Sequence, residues 1–250
     1  MSGGLKILLL AGTAEAQVLA KGLAHVGHQV VASLAGVTRA PTPLAVATRS
    51  SGFGGRQAQA DYMRSEGFDV LVDATHPFAE KITHRSHEIC KEMALPYLRL
   101  SRPAWVPAPG EIWHHIATVD ELSALIPLDE KVFLATGAQS SDIAQALPGR
   151  VLFCRRIEAG PEPFALSGGW IIGRPPFSVD AEVALFQQLE TTWIVAKNAG
   201  GPARAKLAAA QELGLSVAMI DRPQGPDAPT VDSVNAALDW VLDLTVRQNG

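Results

Sequence analysis

Short apolar runs recur along the whole chain, and most of them are followed by an alanine-rich amphipathic stretch. A run of about four to seven apolar residues between turn residues is typical of a buried strand, and the stretch after it is typical of a helix. Alternation of the two predicts parallel sheets that are covered by helices on both faces. In a chain of 250 residues, 47% apolar and 18% charged, this pattern excludes a collagen, a coiled coil and a disordered polyelectrolyte.

The alternation occurs twice, on either side of a segment rich in proline. Pro103, Pro107, Pro109 and Gly110 lie close together there, and neither a helix nor a central strand persists through such a segment. The sequence therefore predicts two Rossmann-like parallel-sheet α/β domains in tandem, with a cleft between them. The predicted limits are residues 1–102 for the first domain, 103–114 for a linker and 115–250 for the second domain.

The apolar runs also predict the individual elements. In the first domain they predict strands over residues 5–11, 29–34, 70–73 and 97–100, with helices over residues 15–25, 57–65 and 78–94. In the second domain they predict strands near residues 132–135, 151–155, 170–173, 193–196 and 216–220, with helices over residues 142–147, 180–189, 202–213 and 231–242. Pro202 is placed in the first turn of its helix, where its missing N–H costs nothing.

The charges argue against nucleic-acid binding as the main role. The formal net charge is −4 and the sequence pI is about 6.0, whereas a nucleic-acid-binding domain needs a clustered basic face. The residues before Trp105 carry 11 basic and 8 acidic side chains, and the rest of the chain carries 10 and 17. This asymmetry predicts two units with different surfaces.

Several kinds of site and location are also disfavoured. Cys90 and Cys154 have no CxxC spacing, so neither a disulfide framework nor a thiolate metal site is predicted. His84 and His87 share a helix but have no obvious third ligand, so no metal is expected. No apolar run reaches about 18 residues, and the first residues lack the pattern of a signal peptide. We therefore expect a cytoplasmic protein that does not interact with a membrane.

The turn after the first predicted strand is a candidate phosphate site. A glycine turn that opens a helix presents free backbone N–H groups to a phosphate, although this one lacks the three-glycine dinucleotide fingerprint. An ordinary strand-to-helix turn, with Thr13 as the helix cap, is the alternative. The cofactor-binding residues predicted in this turn are Gly12, Thr13, Ala14 and Glu15.

The end of the second strand indicates which dinucleotide would bind. Proteins that prefer NAD place an acidic residue there to hold the ribose 2′-hydroxyl, and this chain has none between Ser33 and Arg39. Hydroxyl and guanidinium groups can instead bind a 2′-phosphate, so the predicted cofactor is NADPH. The predicted contacts in this segment are Ser33, Ala35, Gly36, Thr38 and Arg39.

Two further segments are predicted to contact the cofactor. The glycine-rich loop that contains Gly52 and Phe53 allows close approach to a planar ligand, and a plain glycine turn is the alternative. Asp73 ends a strand and is followed by Thr75 and His76, at the edge where open α/β sheets bind ligands. Helix capping and a structural imidazole are the alternatives here. Because the ordinary pKa of an imidazole suits proton transfer, His76 is the candidate catalytic acid, with water or groups of the substrate itself as the alternatives.

The second domain offers a candidate anion site. A strand ends at Lys197 and is followed by a glycine-rich turn that opens a helix, which places backbone N–H groups beside a cation. Cations also follow other strands, although solvated surface arginines are the alternative. The predicted substrate-binding residues are Gly137, Arg174, Lys197, Asn198, Gly200, Gly201, Lys206 and Arg222.

Together these segments resemble the precorrin-6A reductase family of corrin biosynthesis, over nearly the whole chain. The segments that carry the resemblance are Gly-Thr-Ala-Glu at 12–15, Gly-Phe-Gly-Gly at 52–55, Asp-Ala-Thr-His-Pro-Phe-Ala at 73–79, Leu-Arg-Leu-Ser-Arg-Pro-Ala-Trp at 98–105, Ile-Gly-Arg at 172–174 with Pro-Phe at 176–177, Lys-Asn at 197–198 with Gly-Gly at 200–201, and Arg-Pro at 222–223. Four positions depart from the usual family residues: Gln17, Ser51, Pro175 and Ala199.

The resemblance implies an enzyme that uses NADPH to reduce one double bond of precorrin-6A, giving precorrin-6B in cobalamin biosynthesis. Its partner would be an anionic tetrapyrrole, and hand-over to neighbouring pathway enzymes is expected. The family also contains reductases of the cobalt-bearing precursor, so a cobalt-precorrin-6A reductase is one alternative. A non-catalytic NADP-binding sensor is another, although a sensor needs no second anion site.

Overall fold

Two six-stranded parallel sheets form the framework of the protein. The computed structural model describes residues 4–35, 44–137, 140–157 and 164–249. The chain divides into two units, each with one of the sheets. Unit 1 comprises the chain up to Pro103 together with the segment from Pro223 onward, and unit 2 comprises Ala104–Arg222. The predicted fold class, two Rossmann-like parallel-sheet α/β domains in tandem, is confirmed.

The sheet of unit 1 has the doubly wound strand order of a Rossmann fold. Its described strands are β1 (Lys6–Leu10), β2 (Gln29–Leu34), β3 (Ala47–Ser50), β4 (Val70–Asp73), β5 (Tyr97–Leu100) and β12 (Thr230–Val231). They lie in the order β12-β5-β4-β1-β2-β3, and every neighbouring pair is parallel. The order reverses between β1 and β4, and ligands of such sheets bind beyond the carboxyl ends of the strands at that reversal.

Four described helices cover this sheet: α1 (Ala14–His25), α2 (Arg56–Glu66), α3 (Glu80–Glu92) and α8 (Val234–Asn249). β1 is buried on both faces because its side chains alternate between two apolar clusters. Ile7 and Leu9 pack in the cluster that contains buried residues of α1 and α8, and Leu8 and Leu10 pack in the cluster of α2 and α3. Burial on both faces explains why β1 is a continuous apolar run.

Unit 2 repeats this architecture. Its described strands are β6 (Ile112–Ile116), β7 (Lys131–Ala135), β8 (Val151–Arg156), β9 (Gly168–Ile172), β10 (Trp193–Lys197) and β11 (Ser216–Ile220). Its described α-helices are α4 (Leu122–Leu125), α5 (Ser140–Gln145), α6 (Val179–Gln188) and α7 (Ala205–Leu213). The strand order is β6-β11-β10-β7-β8-β9, all parallel, so the reversal lies between β7 and β10.

The structure corrects the predicted domain limits. Residues 223–250 were assigned to the second domain, but the described part of this segment belongs to unit 1. β12 pairs with β5, and Ala237 and Val241 of α8 are fully buried in the cluster that contains α1. The predicted linker at residues 103–114 is also shorter, since Ala104 already belongs to unit 2 and β6 begins at Ile112.

The corrected limits change the charge argument. With the C-terminal segment included, unit 1 has 12 basic and 12 acidic residues, and unit 2 has 9 and 13. The cationic first part that the sequence indicated is therefore neutral as a folded unit. Any preference for anions must come from where individual cations lie.

Three strands of the structure were not predicted from the sequence: β3, β6 and β12. Each lies at an edge of its sheet. Edge strands are partly exposed and need no continuous apolar run, so the pattern that revealed the central strands was missing. One helix start was also wrong, since α7 begins at Ala205 and Pro202 lies before it. Among the described residues, no helix is long and apolar enough to cross a bilayer.

Candidate functional site

The strand reversal in unit 1 brings the turn after β1 beside the end of β4. Gly12 has a φ of +141°, which L side chains rarely adopt, and the space where a side chain would lie is open. Thr13 caps α1, because its Oγ1 accepts a hydrogen bond from the Ala16 amide at 3.1 Å. The same hydroxyl donates to the Ala74 carbonyl oxygen at 2.8 Å. The Thr13 side chain is thus committed to the turn, and a phosphate would be left to the amides of the first helical turn.

A pocket opens at the ends of β1, β4 and β5. It is lined by side chains from the turns after these strands, including Thr13, Glu15, Thr75, Pro77, Ser101 and Arg102. Glu15 and Arg102 form an ion pair there at 2.8 Å, with side-chain exposures of 22% and 16%. This pair neutralises the carboxylate at the start of α1, where it would otherwise repel a phosphate. Arg102 was missed as a site residue, although its position just after a strand was a usable signal.

A buried carboxylate organises the loop after β4. Asp73 is 1% exposed, and its Oδ1 accepts hydrogen bonds from the amide of Thr75 at 3.0 Å and from the Thr75 hydroxyl at 2.7 Å. Its Oδ2 accepts from the Tyr97 hydroxyl at 3.0 Å. Burial, and then the negative charge of Asp73, raises the pKa of Tyr97 above its ordinary value. Tyr97 therefore stays protonated as a donor, and the Thr75 hydroxyl is held between Asp73 and the Thr83 hydroxyl, whose oxygen lies 3.4 Å away.

His76 continues this loop with a fixed orientation. Its Nδ1 accepts a hydrogen bond from the Phe78 amide at 3.3 Å, and its carbonyl oxygen accepts from the Ala79 amide at 2.8 Å. Because Nδ1 is an acceptor, the proton of the neutral ring is assigned to Nε2. In this neutral form the ring donates hydrogen bonds through Nε2, and transfer of a proton would require the imidazolium form.

The predicted contacts at the end of β2 are only partly described. Ser33 is 6% exposed, and its Oγ accepts a hydrogen bond from Nη1 of Arg49 at 2.8 Å. The Arg49 guanidinium lies 4.0 Å from the centroid of the Phe53 ring, and Nη2 approaches the Gly52 carbonyl oxygen at 3.4 Å. Ala35 directly follows β2. Gly36, Thr38 and Arg39 lie outside the described residues.

Arg49 was missed by sequence reasoning because its strand was missed. β3 is a four-residue, largely exposed edge strand, so nothing in the apolar pattern drew attention to it. Phe53, expected against a planar ligand, lies against Arg49 and packs beside Tyr62 with ring centroids 5.7 Å apart.

In unit 2 the strand reversal brings together the ends of β7 and β10. Ala135 is paired with Ala196, so Gly137 lies near Lys197 and Asn198. Asn198 is 5% exposed, and its amide group makes two hydrogen bonds to the backbone of Trp105: Oδ1 accepts from the N–H at 2.8 Å and Nδ2 donates to the carbonyl oxygen at 3.0 Å.

The same tryptophan contacts the glycine turn. Nε1 of Trp105 donates to the Gly201 carbonyl oxygen at 2.8 Å. Gly200 and Gly201 have φ values of +67° and +76°, so both need the freedom of glycine. Two of the predicted substrate-binding residues, Asn198 and Gly201, thus hold the Trp105 segment in place.

Two lysines near this turn have lowered pKa values. Lys206 donates to the Ala203 carbonyl oxygen at 2.6 Å and lies 4.8 Å from the Trp105 ring centroid. Burial lowers the pKa of Lys206 to about 8, with Glu182 raising it and Arg155 lowering it. Burial also lowers the pKa of Lys197. Each ammonium group has lost water that a bound carboxylate could replace.

The two predicted arginines of unit 2 lie in different places. Arg222 follows β11 and joins the cluster, since its Nε donates to the Asn198 carbonyl oxygen at 2.7 Å. Arg174 follows β9, three strands from β10, and is exposed. An ion pair between β8 and α6 was not predicted from the sequence. Arg155 donates to both carboxylate oxygens of Glu182, at 2.6 and 2.7 Å.

The described ranges contain no group of three His, Cys, Asp or Glu side chains placed to hold a metal ion. His84, one of the histidines considered, has its Nε2 at 2.9 Å from the Gln224 carbonyl oxygen.

These features define a class: two-unit α/β proteins whose first unit has the dinucleotide-binding architecture and whose second unit carries cations beyond its strand ends. A family model described as "Precorrin-6x reductase CbiJ/CobK" matches residues 6–242, and the chain belongs to this family of reductases. A nicotinamide cofactor agrees with that membership.

Individual relatives match over almost their entire length. "Precorrin-6A reductase" of Rhodococcus erythropolis is 39% identical over 246 residues, which is 97% of this chain and 99% of the relative. The protein of the same name from Mycobacterium tuberculosis is 39% identical over 250 residues, with 97% and 99% covered. A solved structure described as "CobK precorrin-6A reductase" has a TM-score of 0.88 at 34% identity, covering 96% of this chain and 97% of that one.

Proposed function

We propose that the protein reduces one double bond of precorrin-6A to give precorrin-6B, with NADPH as the hydride donor, as a step of cobalamin biosynthesis. The observation that carries the proposal is similarity over the whole chain to relatives named precorrin-6A reductase, at 36% to 39% identity. A relative named cobalt-precorrin-6A reductase, from Priestia megaterium, is 28% identical. The difference favours the metal-free macrocycle as the substrate.

The residues of unit 1 fit a dinucleotide. The Gly12 turn leaves open space before the first turn of α1, and the Arg102 ion pair removes the charge of Glu15 that would oppose a pyrophosphate. When bound, the cofactor supplies a hydride. The proposed contacts are the backbone from Gly12 to Glu15, the segment from Ser33 to Arg39, the loop at Gly52 and Phe53, and the pair Thr75 and His76.

Reduction of a double bond also consumes a proton, which the protein or water must deliver. We assign this proton to the imidazolium form of His76, which lies in the loop after β4 and would become a neutral ring on releasing it. After transfer the ring is reprotonated from solvent. The loop itself is held by Asp73 through Thr75.

Unit 2 is proposed to hold the carboxylates of the macrocycle. Lys197, Lys206 and Arg222 lie around one turn, and a carboxylate there would stabilise the protonated lysines. Gly137 and Gly200 border the same strand ends, and Arg174 would contact a more distant group. Asn198 and Gly201 contribute by fixing Trp105. The product would then pass to neighbouring enzymes of the pathway.

The direct test follows the loss of NADPH absorbance in the near ultraviolet when purified protein is mixed with precorrin-6A. The expected result is loss of absorbance that requires both protein and macrocycle, with a slower reaction on the cobalt-bearing macrocycle. A macrocycle preparation shown to be active with a relative's enzyme serves as the control. Absence of substrate-dependent oxidation with that preparation would refute the proposal.

A further inference from the structure

Arg49 occupies a distinctive place at the edge of the unit 1 sheet. It is paired across β2 and β3 with Ser33, and both residues lie at the carboxyl ends of their strands. We infer that Arg49 and Ser33 form the site that binds the 2′-phosphate of the dinucleotide and so selects NADPH over NADH. This inference rests on the proposed function, because it needs a dinucleotide in unit 1.

The hydrogen bond between these residues leaves donors for an anion. Nη1 of Arg49 donates to Ser33 Oγ at 2.8 Å, so the serine oxygen is the acceptor and keeps its own proton for another partner. Nη1 also donates to the Ser51 carbonyl oxygen at 3.1 Å. The contacts of Nη2 with Ser51 Oγ and with the Gly52 carbonyl oxygen are long, at 3.4 Å each. A phosphate oxygen can replace such weak contacts with a shorter, charge-assisted one.

Among the residues that the structure describes, no carboxylate forms an ion pair with Arg49, whereas three other arginines of unit 1 have such a partner. Arg56, Arg64 and Arg102 each form an ion pair with a carboxylate. In the part of the chain that the structure describes, the hydrogen-bond acceptors of Arg49 are all neutral oxygens. A guanidinium without a carboxylate partner is available to a ligand anion.

Aromatic rings fix the guanidinium of Arg49 in this position. Its Cζ lies 4.0 Å from the Phe53 ring centroid and 5.1 Å from that of Tyr62. Stacking on these rings restricts the side chain before any ligand arrives, which lowers the entropy lost on binding.

The position of Arg49 and Ser33 in the sheet also agrees with binding of a 2′-phosphate. In a doubly wound sheet that binds a dinucleotide across its reversal, the adenosine ribose reaches the carboxyl end of β2. An acidic residue there binds the 2′-hydroxyl in NAD-dependent proteins, whereas an arginine accommodates the 2′-phosphate. Arg39, predicted from the sequence for this role, follows the same strand and competes with Arg49 for the assignment.

The experiment measures binding of two adenosine fragments, adenosine 2′,5′-bisphosphate and 5′-AMP, by calorimetry. The variants are Arg49→Ala and Arg39→Ala, with Arg64→Ala as the control because Arg64 is exposed and paired with Asp61 on α2. The wild type is expected to prefer the bisphosphate. Arg49→Ala should weaken bisphosphate binding by about 10-fold to 100-fold while changing 5′-AMP binding by less than about threefold.

The unchanged binding of 5′-AMP shows that the variant is folded at this site. A preference for the bisphosphate that survives in Arg49→Ala, or is lost only in Arg39→Ala, overturns the inference. Equal weakening of both fragments also overturns it, since Arg49 would then only support the loop. Parallel turnover assays on the wild type separate the two proposals. Oxidation of NADPH by precorrin-6A with no selective effect of Arg49→Ala refutes the inference alone, and selective binding without turnover refutes the reductase function alone.

Discussion

The amide of Asn198 is predicted to be a structural clamp, and the substitution Asn198→Leu tests this. Leucine has the same number and branching of side-chain heavy atoms and is larger, so the change removes the two hydrogen bonds to Trp105 without opening a cavity that water could fill. The N–H and the carbonyl oxygen of Trp105 would then be buried without partners. Each such group costs about 1–3 kcal/mol.

The expected loss of stability depends on the other contacts that hold the Trp105 segment. The indole of Trp105 keeps its hydrogen bond to Gly201 and its contact with Lys206, and the residue as a whole is 9% exposed, so the segment stays in place. The loss should therefore lie near the middle of the range for two groups, about 3–4 kcal/mol. For a domain of this size that corresponds to a fall in Tm on the order of 10 °C.

The assay is unfolding in the absence of substrate, followed by tryptophan fluorescence. Four of the five tryptophans lie in unit 2, so the signal reports mainly on that unit. Gln187→Leu is the control, because Gln187 is exposed on α6 of the same unit and its replacement should shift stability by less than about 1 kcal/mol. If Asn198→Leu keeps wild-type stability and loses only affinity for the macrocycle, the amide is a substrate ligand and the clamp is refuted.

Three further substitutions test other parts of the molecule. His76→Ala should lower the rate of NADPH oxidation by about 100-fold or more with NADPH affinity unchanged, and an unchanged rate would remove His76 as the proton donor. Lys206→Met should stabilise the protein most at neutral pH. Burial holds the folded pKa of Lys206 near 8, so between there and its ordinary value of 10.5 the unfolded state binds more protons and the wild type gains stability as pH rises. The advantage of the variant, measured by urea unfolding at several pH values, should shrink over that interval; a constant advantage would contradict it. Arg150→Met should cost more than about 3 kcal/mol by urea unfolding, because Arg150 is 6% exposed and its guanidinium donates to the carbonyl oxygens of Ser123, Ile126, Pro127 and Pro148. A loss below about 1 kcal/mol would show that these carbonyls are hydrated.

The sequence was sufficient for the central strands and the positions of the strand-end turns. β2, β4, β5 and β11 have the predicted limits, because burial on both faces demands continuous apolar runs with sharp ends. The turns at Gly12 and Lys197 were found by the same logic, since they directly follow such runs. Edge strands need no continuous apolar run, so β3 was not predicted. Arg49 lies in β3 and was therefore not recognised as a candidate site residue.

Side-chain roles were harder to predict than positions. Asn198 was expected to bind substrate because it follows a strand beside a lysine. Its actual partner, Trp105, is 93 residues away along the chain, and the residues around Asn198 give no signal that predicts this contact. Glu15 is a similar case, since its pairing with Arg102 joins two turns separated by 87 residues. A pattern places a residue at an edge of the sheet, but its contacts depend on which other loops reach the same edge.

The C-terminal segment of the chain supports the candidate cofactor site of unit 1. The amide of Arg99, in β5, donates to the carbonyl oxygen of Pro229, and α8 buries Ala237 and Val241 completely beside α1. Gly225 lies against Arg99, and a Cβ there would lie 1.7 Å from Nη1, so a larger residue would displace the guanidinium. Without this C-terminal segment, β5 would be an unpaired edge and α1, which begins at the candidate phosphate turn, would lose part of its apolar cover. The turn at Gly12 therefore depends for its support on residues that the chain supplies only after unit 2.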